Sequence, residues 1–560
     1  MQRSDCTGPL GAYPSECVRR PARAEHTFHP FAGALKRARD VATAGFPFGS
    51  YALLAIAFLL LLRLLLLGAV VLVPEEAYYW MYSQYPSVGY LDHPPMIAWL
   101  IAGGTFLFGE TELGVRFGTW LLAAASTWLC YRLTADWSGR RAGIAAALLF
   151  SVTPLFCGTG FITTPDGPLI FFWLVALLGV TRAYRRDSVG WWLVAGIATG
   201  LGSISKYPAM FLAAGAFLFL LSHTRGRRML ARPGPWLALL LAIAAAFPVI
   251  WWNAQHDFAS FRFQFARRLA GEGGFAPQRT MEWLGAQFGL LSPLVFVLFT
   301  LSWWTALRRF GRDRSGRWRF AACFSLPWLA VCVWHGLFSE VNVNWPLPGY
   351  LGLIPVAVVL LRVRPLGLLR RIPWARYHLH VRRYAAGLLA INSLVLAYVC
   401  LPVSFLPKPS ALAPWDDLGQ ATEGVEDAFA AEAGQEPFIL AAGKYRLASE
   451  LAFYMRDPDH AIGEPDGEDW KETIPIAAAV GGGLNYAWWR DPGEFLGRNA
   501  IYVARKPPNP VKAAALGACF EHVDEPRQFF AHPRGIGRWA QYWVVRCYRF
   551  RGVPAEIGAG

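Results

Sequence analysis

The tightest constraint on the fold is a run from Tyr51 to Val73 that is almost wholly apolar. About 20 such residues suffice to cross a bilayer as a helix. Apolar stretches recur from Leu113 to Tyr131, Ala142 to Phe156, Leu169 to Val180, Trp191 to Ser203 and Ala209 to Leu221. They continue from Trp236 to Trp252, Trp283 to Leu307, Phe320 to Leu337, Leu347 to Leu361 and Tyr384 to Phe405. With 55% hydrophobic and 16% charged residues, the chain reads as a polytopic membrane protein embedded in a lipid bilayer. The expected fold is a membrane all-α bundle of about 11 transmembrane helices.

Charge sets the expected orientation. The net charge of +15 does not point to nucleic acid, because the basic residues gather in alternate short loops. Those loops hold Arg140 and Arg141, then Arg182 to Arg186, Arg225 to Arg232, Arg308 to Arg319 and Arg362 to Arg383. The positive-inside rule places them in the cytoplasm. Of the opposite loops, those at 74–112, around Pro165 and at 339–346 carry no Lys or Arg; the loop from Asn253 to Met281 is the exception, with Arg262, Arg267, Arg268 and Arg279.

Three domains are expected. Residues 1–48, rich in Arg, form a cytoplasmic leader without ordered structure. Residues 49–406 form the transmembrane part. Residues 407–560 follow a Pro-punctuated linker and form an extracytoplasmic soluble domain of α/β or α+β type. Within it PFILAAG, NAIYVAR and YWVVRCYRF have strand character, and Tyr445 to Tyr454 has helical character. Nine cysteines lack metal-cluster spacing. Cys519 and Cys547 can pair if this tail meets an oxidising space.

Candidate site residues all fall on the side opposite the basic loops. Glu75 and Glu76 in PEEAYYW follow the first span, and Asp92 and His93 precede two prolines in LDHPP. Ionisable groups where a chain leaves the membrane are costly to desolvate and mark function. A carboxylate there can accept a proton from an attacking hydroxyl, although acids after Pro74 also suit a helix N-terminus. Asp92 beside His93 fits a divalent-metal or phosphate-binding pair. Asp166 fits a site acid or a helix start. Lys206, followed by Tyr207, fits a phosphate contact or a snorkelling lysine. Asn342, Asn344 and Trp345 combine amide donors with an aromatic face, a pairing suited to a sugar.

Several blocks together resemble a known family. PEEAYYW with GYLDHPPMIAWLIAGGTFLFGETELGVR, then TTPDGPLIFFW, GLGSISKYPAM, WWNAQHDFASFRFQFAR and EVNVNWPLPGYLGL, are similar to dolichyl-phosphate-mannose protein mannosyltransferase-like enzymes. This GT-C class includes bacterial aminoarabinose transferases, and RLASELAFYM in the tail is of the same type. The resemblance implies an inverting glycosyltransferase of the bacterial inner membrane. It would move a sugar from a polyprenyl-phosphate donor to a hydroxyl of a glycan, glycolipid (lipid A among them) or protein acceptor on the outer face. It implies catalytic roles for Glu75, Glu76 and Asp92. It assigns donor-phosphate or substrate contacts to His93, Asp166, Lys206, Tyr207, Asn342, Asn344 and Trp345. A divalent metal (Mg, Mn or Zn) held by Asp92 and His256 is a further expectation. The competing reading is a transporter or flippase for a lipid-linked sugar.

Overall fold

A computed structural model describes residues 48–267, 274–363, 373–400, 412–442, 445–455, 485, 489, 492–531 and 540–554. The expected leader lies outside the described residues, apart from Phe48, and so does the boundary drawn at 406/407.

The helical part begins with α1 (Phe48–Leu66), α2 (Pro74–Gln84), α3 (Met96–Phe108), α4 (Glu112–Ser138) and α5 (Arg140–Val152). It continues with α6 (Asp166–Arg186), α7 (Val189–Ser203), α8 (Phe211–Leu221) and α9 (Pro233–Gln255). Then come α10 (Pro277–Leu290), α11 (Pro293–Arg309), α12 (Arg317–Gly336), α13 (Ile354–Val363) and α14 (Trp374–Cys400). Among the described residues four helical segments are long and apolar enough to cross a membrane: Gly49–Leu66, Asp166–Arg186, Pro233–Gln255 and Arg376–Cys400. Apolar helices too short to count alone are Met96–Phe108, Val189–Ser203 and Tyr207–Leu221.

The expected single span from Trp283 to Leu307 is instead broken. Pro277–Leu290 and Pro293–Arg312 meet at 114°, with Ser292 at φ 72° between them. Pro293 lacks an N–H for the preceding turn and opens the next helix at its first position.

Small residues bring the central helices together. A Cβ on Gly196 of α7 would stand 2.2 Å from the Ala238 carbonyl of α9. Only glycine permits that approach, which is how helices pack where lipid offers no hydrophobic driving force. α6 is the most enclosed candidate span, 83% buried, and it carries Asp166 in its first turn.

The polar tail forms α15 (Trp415–Ala433), β1 (Phe438–Ala441), α16 (Arg446–Tyr454), β2 (Ala500–Ala504), α17 (Pro510–Cys519), β3 (Phe520–Val523), β4 (Arg527–Ala531) and β5 (Ala540–Phe550). The sheet runs β1-β2-β5-β3, with β4 also paired to β5. β1 and β2 are parallel, with Phe438 opposite Ala500, and β2, β3 and β4 are antiparallel to β5. Two apolar layers flank it. Phe438, Leu440, Tyr502, Leu516 and Phe520 fill one side. Ile439, Val503, Tyr542 and Leu451 fill the other, in a core shared with Tyr78, Trp80 and Ile97 of the helical part. The period of two in the strands sorts successive side chains into those layers.

Cys519 and Cys547 do not pair: both are free, buried thiols within the same apolar cluster.

Candidate active site

The loop after α1 is held by one fully buried ion pair. Arg116 of α4 sends Nε and Nη2 to Glu76 at 2.9 and 2.5 Å, and it also donates to the carbonyls of Leu67, Val70 and Val71. Glu76 accepts further bonds from the backbone N–H of Thr163 at 2.8 Å and Val73 at 3.1 Å. Both oxygens of this enclosed carboxylate are hydrogen-bonded, and its contacts fasten α2. Glu76, expected as a catalytic acid, is thus held by Arg116 from 40 residues along the chain, a contact the motif alone does not reveal.

Glu75, one residue earlier on the helix, turns the other way. Its side chain is 36% exposed and meets Arg446 Nη2 at 3.3 Å and the Tyr445 hydroxyl at 3.4 Å. Adjacent residues on a helix face directions about 100° apart, which separates the two acids. Glu75 opens into a cleft of about 820 Å³ lined also by Trp415, Tyr445, Arg505, Lys506 and Lys512.

Asp92 is 7% exposed. Its carboxylate accepts from Tyr78 and Tyr82 of α2 and from Asn485 Nδ2 at 2.6 Å. Burial pushes its pKa up, and the hydrogen bonds from Tyr82 and Asn485 pull it back. Asn485 also donates to both phenols and accepts from the Leu91 N–H at 2.8 Å. Gln264 donates to the Asp92 carbonyl. Asp92 is therefore the hub of a buried polar network that ties the tail to the first loop. His93 stands edge-on to Tyr79 at 5.6 Å.

A second cluster assembles three expected residues from distant segments. Lys206 Nζ donates to both oxygens of Asp166 at 2.9 and 3.0 Å, and Asn344 Nδ2 reaches Asp166 at 2.6 Å. Asp166 lies in the first helical turn without capping a backbone N–H, because its oxygens are turned to Lys206 and Asn344. The Tyr207 hydroxyl meets Ser260 at 2.6 Å. Asn342 is exposed, and its carbonyl accepts the Trp345 N–H. Trp345 lies against His335, ring centroids 5.1 Å apart, and accepts from Trp328 Nε1. Asn342, Asn344 and Trp345 thus have separate partners.

The residues expected to hold a metal do not fit one. His256 stacks on Trp252 at 4.1 Å and places Nδ1 2.8 Å from the Trp252 carbonyl, while Asp92 is taken up by two phenols and an amide. Among the described residues no three His, Cys, Asp or Glu side chains converge as a metal site.

Arg116, Asn485, Tyr445 and Arg446 were not singled out from the residues. Arg116 ends the GETELGVR block, and Tyr445 and Arg446 precede or open the RLASELAFYM stretch, so motif membership was their only signal. Asn485 had none.

Glu450 of α16 is fully buried, and neither carboxyl oxygen has a hydrogen-bond partner. Burial, with Glu76 nearby, raises its pKa well above the usual carboxylate value.

Residues 92–252 match the family model described as dolichyl-phosphate-mannose-protein mannosyltransferase. A lipid A galacturonosyltransferase of Rhizobium johnstonii is 29% identical over 393 residues, 69% of this chain and 78% of that protein. An undecaprenyl phosphate-alpha-4-amino-4-deoxy-L-arabinose arabinosyl transferase of Pseudomonas savastanoi is 32% identical over 216 residues, 36% of this chain and 39% of its own length. The apo crystal structure of ArnT from Cupriavidus metallidurans superposes with a TM-score of 0.59 at 16% identity, covering 89% of this chain and 98% of that one, a likeness of fold. Over residues 92–252 the chain is thus similar to the dolichyl-phosphate-mannose-protein mannosyltransferase family, its sequence relatives are named as lipid A and undecaprenyl-phosphate sugar transferases, and its fold is like that of ArnT.

Proposed function

We propose that this enzyme transfers a sugar, with inversion, from a polyprenyl-phosphate donor to a hydroxyl of a lipid A-type glycolipid or related cell-envelope glycan on the outer face of the bacterial inner membrane. The carrying observation is the opposite fate of the acids of the first loop. Glu76 and Asp92 are enclosed and hydrogen-bonded, whereas Glu75 alone of the three opens into the large cleft. Glu75 is the base. It takes the proton of the acceptor hydroxyl as that oxygen attacks the anomeric carbon, and the bond from that carbon to the phosphate oxygen breaks. Polyprenyl phosphate leaves with the electron pair. One base and no covalent intermediate suffice for inversion.

The departing phosphate needs a cation in place before the reaction. Lys206 is our candidate. It has three N–H donors, two of which Asp166 orients, leaving one for a donor oxygen. The charge pattern of the loops supports a bundle of about eleven spans with the 407–560 part outside. The relatives' printed names, lipid A galacturonosyltransferase and undecaprenyl-phosphate aminoarabinose transferase, support the donor and acceptor classes.

The test is a transfer assay with full-length protein in lipid, offered polyprenyl-phosphate sugars and envelope glycolipids. Removing a general base costs about 10²–10⁴-fold, so Glu75→Gln should lose at least about a hundredfold while retaining donor binding. Transfer that persists in Glu75→Gln, or a lipid-linked sugar that crosses the bilayer unchanged, overturns the proposal. A chelator arm reports directly on metal dependence.

A further inference from the structure

We infer that the cleft beside Glu75 holds an anionic group of the acceptor, a phosphate or carboxylate, on Arg505, Lys506 and Lys512. The inference rests on Glu75 being the base and adds a substrate-recognition site built by the tail.

The cleft, at about 820 Å³, has the size of a ligand site. Among the described charged residues that line it only Glu75 is acidic; Arg446, Arg505, Lys506 and Lys512 are basic. One of those cations, Arg446, is matched to Glu75 at 3.3 Å. Neither Lys506 nor Lys512 has a carboxylate partner among the described residues. Arg505 lies 4.8 Å over the Trp415 ring, which sets its guanidinium plane on a buried aromatic support.

The position of Lys512 is the second, independent sign. Asn509 caps the ten-residue helix α17 by accepting the Lys512 N–H at 2.9 Å, and Pro510 follows the cap. Lys512 therefore sits in the first helical turn, where the dipole disfavours a cation. Two lysines and an arginine then line one cleft, a set of charged donors that suits a phosphate or carboxylate. An anion there relieves the repulsion among them.

The acceptor, rather than the donor, is the occupant. These cations come from the exit of β2 and the start of α17, in the polar tail. A polyprenyl donor must keep its chain along the apolar helices, where Lys206 lies. A glycan or glycolipid head carrying phosphate or carboxylate fits the tail, with its hydroxyl at Glu75.

The test uses full-length protein in lipid nanodiscs and the variant Lys506→Gln/Lys512→Gln, both at partly or fully solvated positions. Calorimetry with inorganic pyrophosphate should show binding to wild type that weakens about tenfold or more in the variant and returns with Lys506→Arg/Lys512→Arg. In transfer kinetics the acceptor KM should rise by a similar factor, with donor KM and kcat little changed. Equal pyrophosphate binding by wild type and variant overturns the site. A rise in donor KM alone overturns the assignment to the acceptor. If wild type transfers no sugar from any polyprenyl phosphate, the role of Glu75 fails, and the calorimetry still decides whether the cleft binds anions.

Discussion

A carboxyl with no hydrogen-bond partner is the least expected residue of this protein. Glu450 stands in the core between α16 and α2, where ionisation is opposed by burial and by Glu76. Its folded pKa lies above its ordinary 4.5. Between those two values the folded state keeps a proton that the unfolded chain has released. The stability it allows is therefore full below about pH 4.5 and is lost as pH rises towards the folded pKa. Glu450→Gln should abolish that loss, so thermal melts of variant and wild type should diverge in favour of the variant as pH rises above about 4.5. The difference should grow by up to about 1.4 kcal/mol per pH unit; parallel pH profiles would refute it. Lys206 makes the reverse case. Lys206→Met strands the Asp166 carboxylate, 2% exposed, with Asn344 alone, and breaking a buried pair from one side costs about 3–5 kcal/mol. The double variant Asp166→Asn/Lys206→Met should melt higher than the single one, while both lose transfer.

At the scale of elements, two devices hold α2 in place. Arg116 fastens its start to α4 and to the carbonyls after α1. Asn485 fastens its far half to the tail through Tyr78, Tyr82 and Asp92. Tyr454 of α16 adds a bond from the Leu72 N–H at 2.7 Å and one to Glu112 at 3.0 Å. Asn485→Ala leaves buried polar groups short of partners, at a cost of about 1–3 kcal/mol. Asn485→Asp should be worse, since it sets a second carboxylate against Asp92. Hydrogen exchange of Tyr78 to Tyr82 should rise in that order, and unchanged exchange in both variants would show that the network does not restrain α2.

For the whole molecule, the proposed orientation has a direct readout. Val511→Cys, at the exposed start of α17, should react with a membrane-impermeant maleimide on intact cells. Arg228→Cys, in a basic loop, should react only after lysis. The opposite pattern would invert the topology and move the site to the cytoplasm. Much of this molecule was readable from residue order. Apolar runs locate helices because the bilayer core admits only backbone that satisfies itself, and the strands at Phe438 and Ala500 are short, continuous apolar runs, as suits strands buried on both faces. The motifs likewise marked Glu75, Asp92, Asp166 and Lys206, since ionisable groups beside apolar runs are conspicuous. Adjacency in sequence, however, could not separate Glu75 from Glu76: that depended on Arg116 arriving from another helix to claim one acid and leave the other at the cleft. Nor could it pair Asn344 with Asp166, or bring Asn485 to Asp92. Composition and periodicity act through neighbours in the chain, and so they determined the class, the helices and the candidate residues. Which carboxylates are buried, and which one stays open to chemistry, is set by contacts between segments up to hundreds of residues apart, and those exist only once the helices and the sheet have packed.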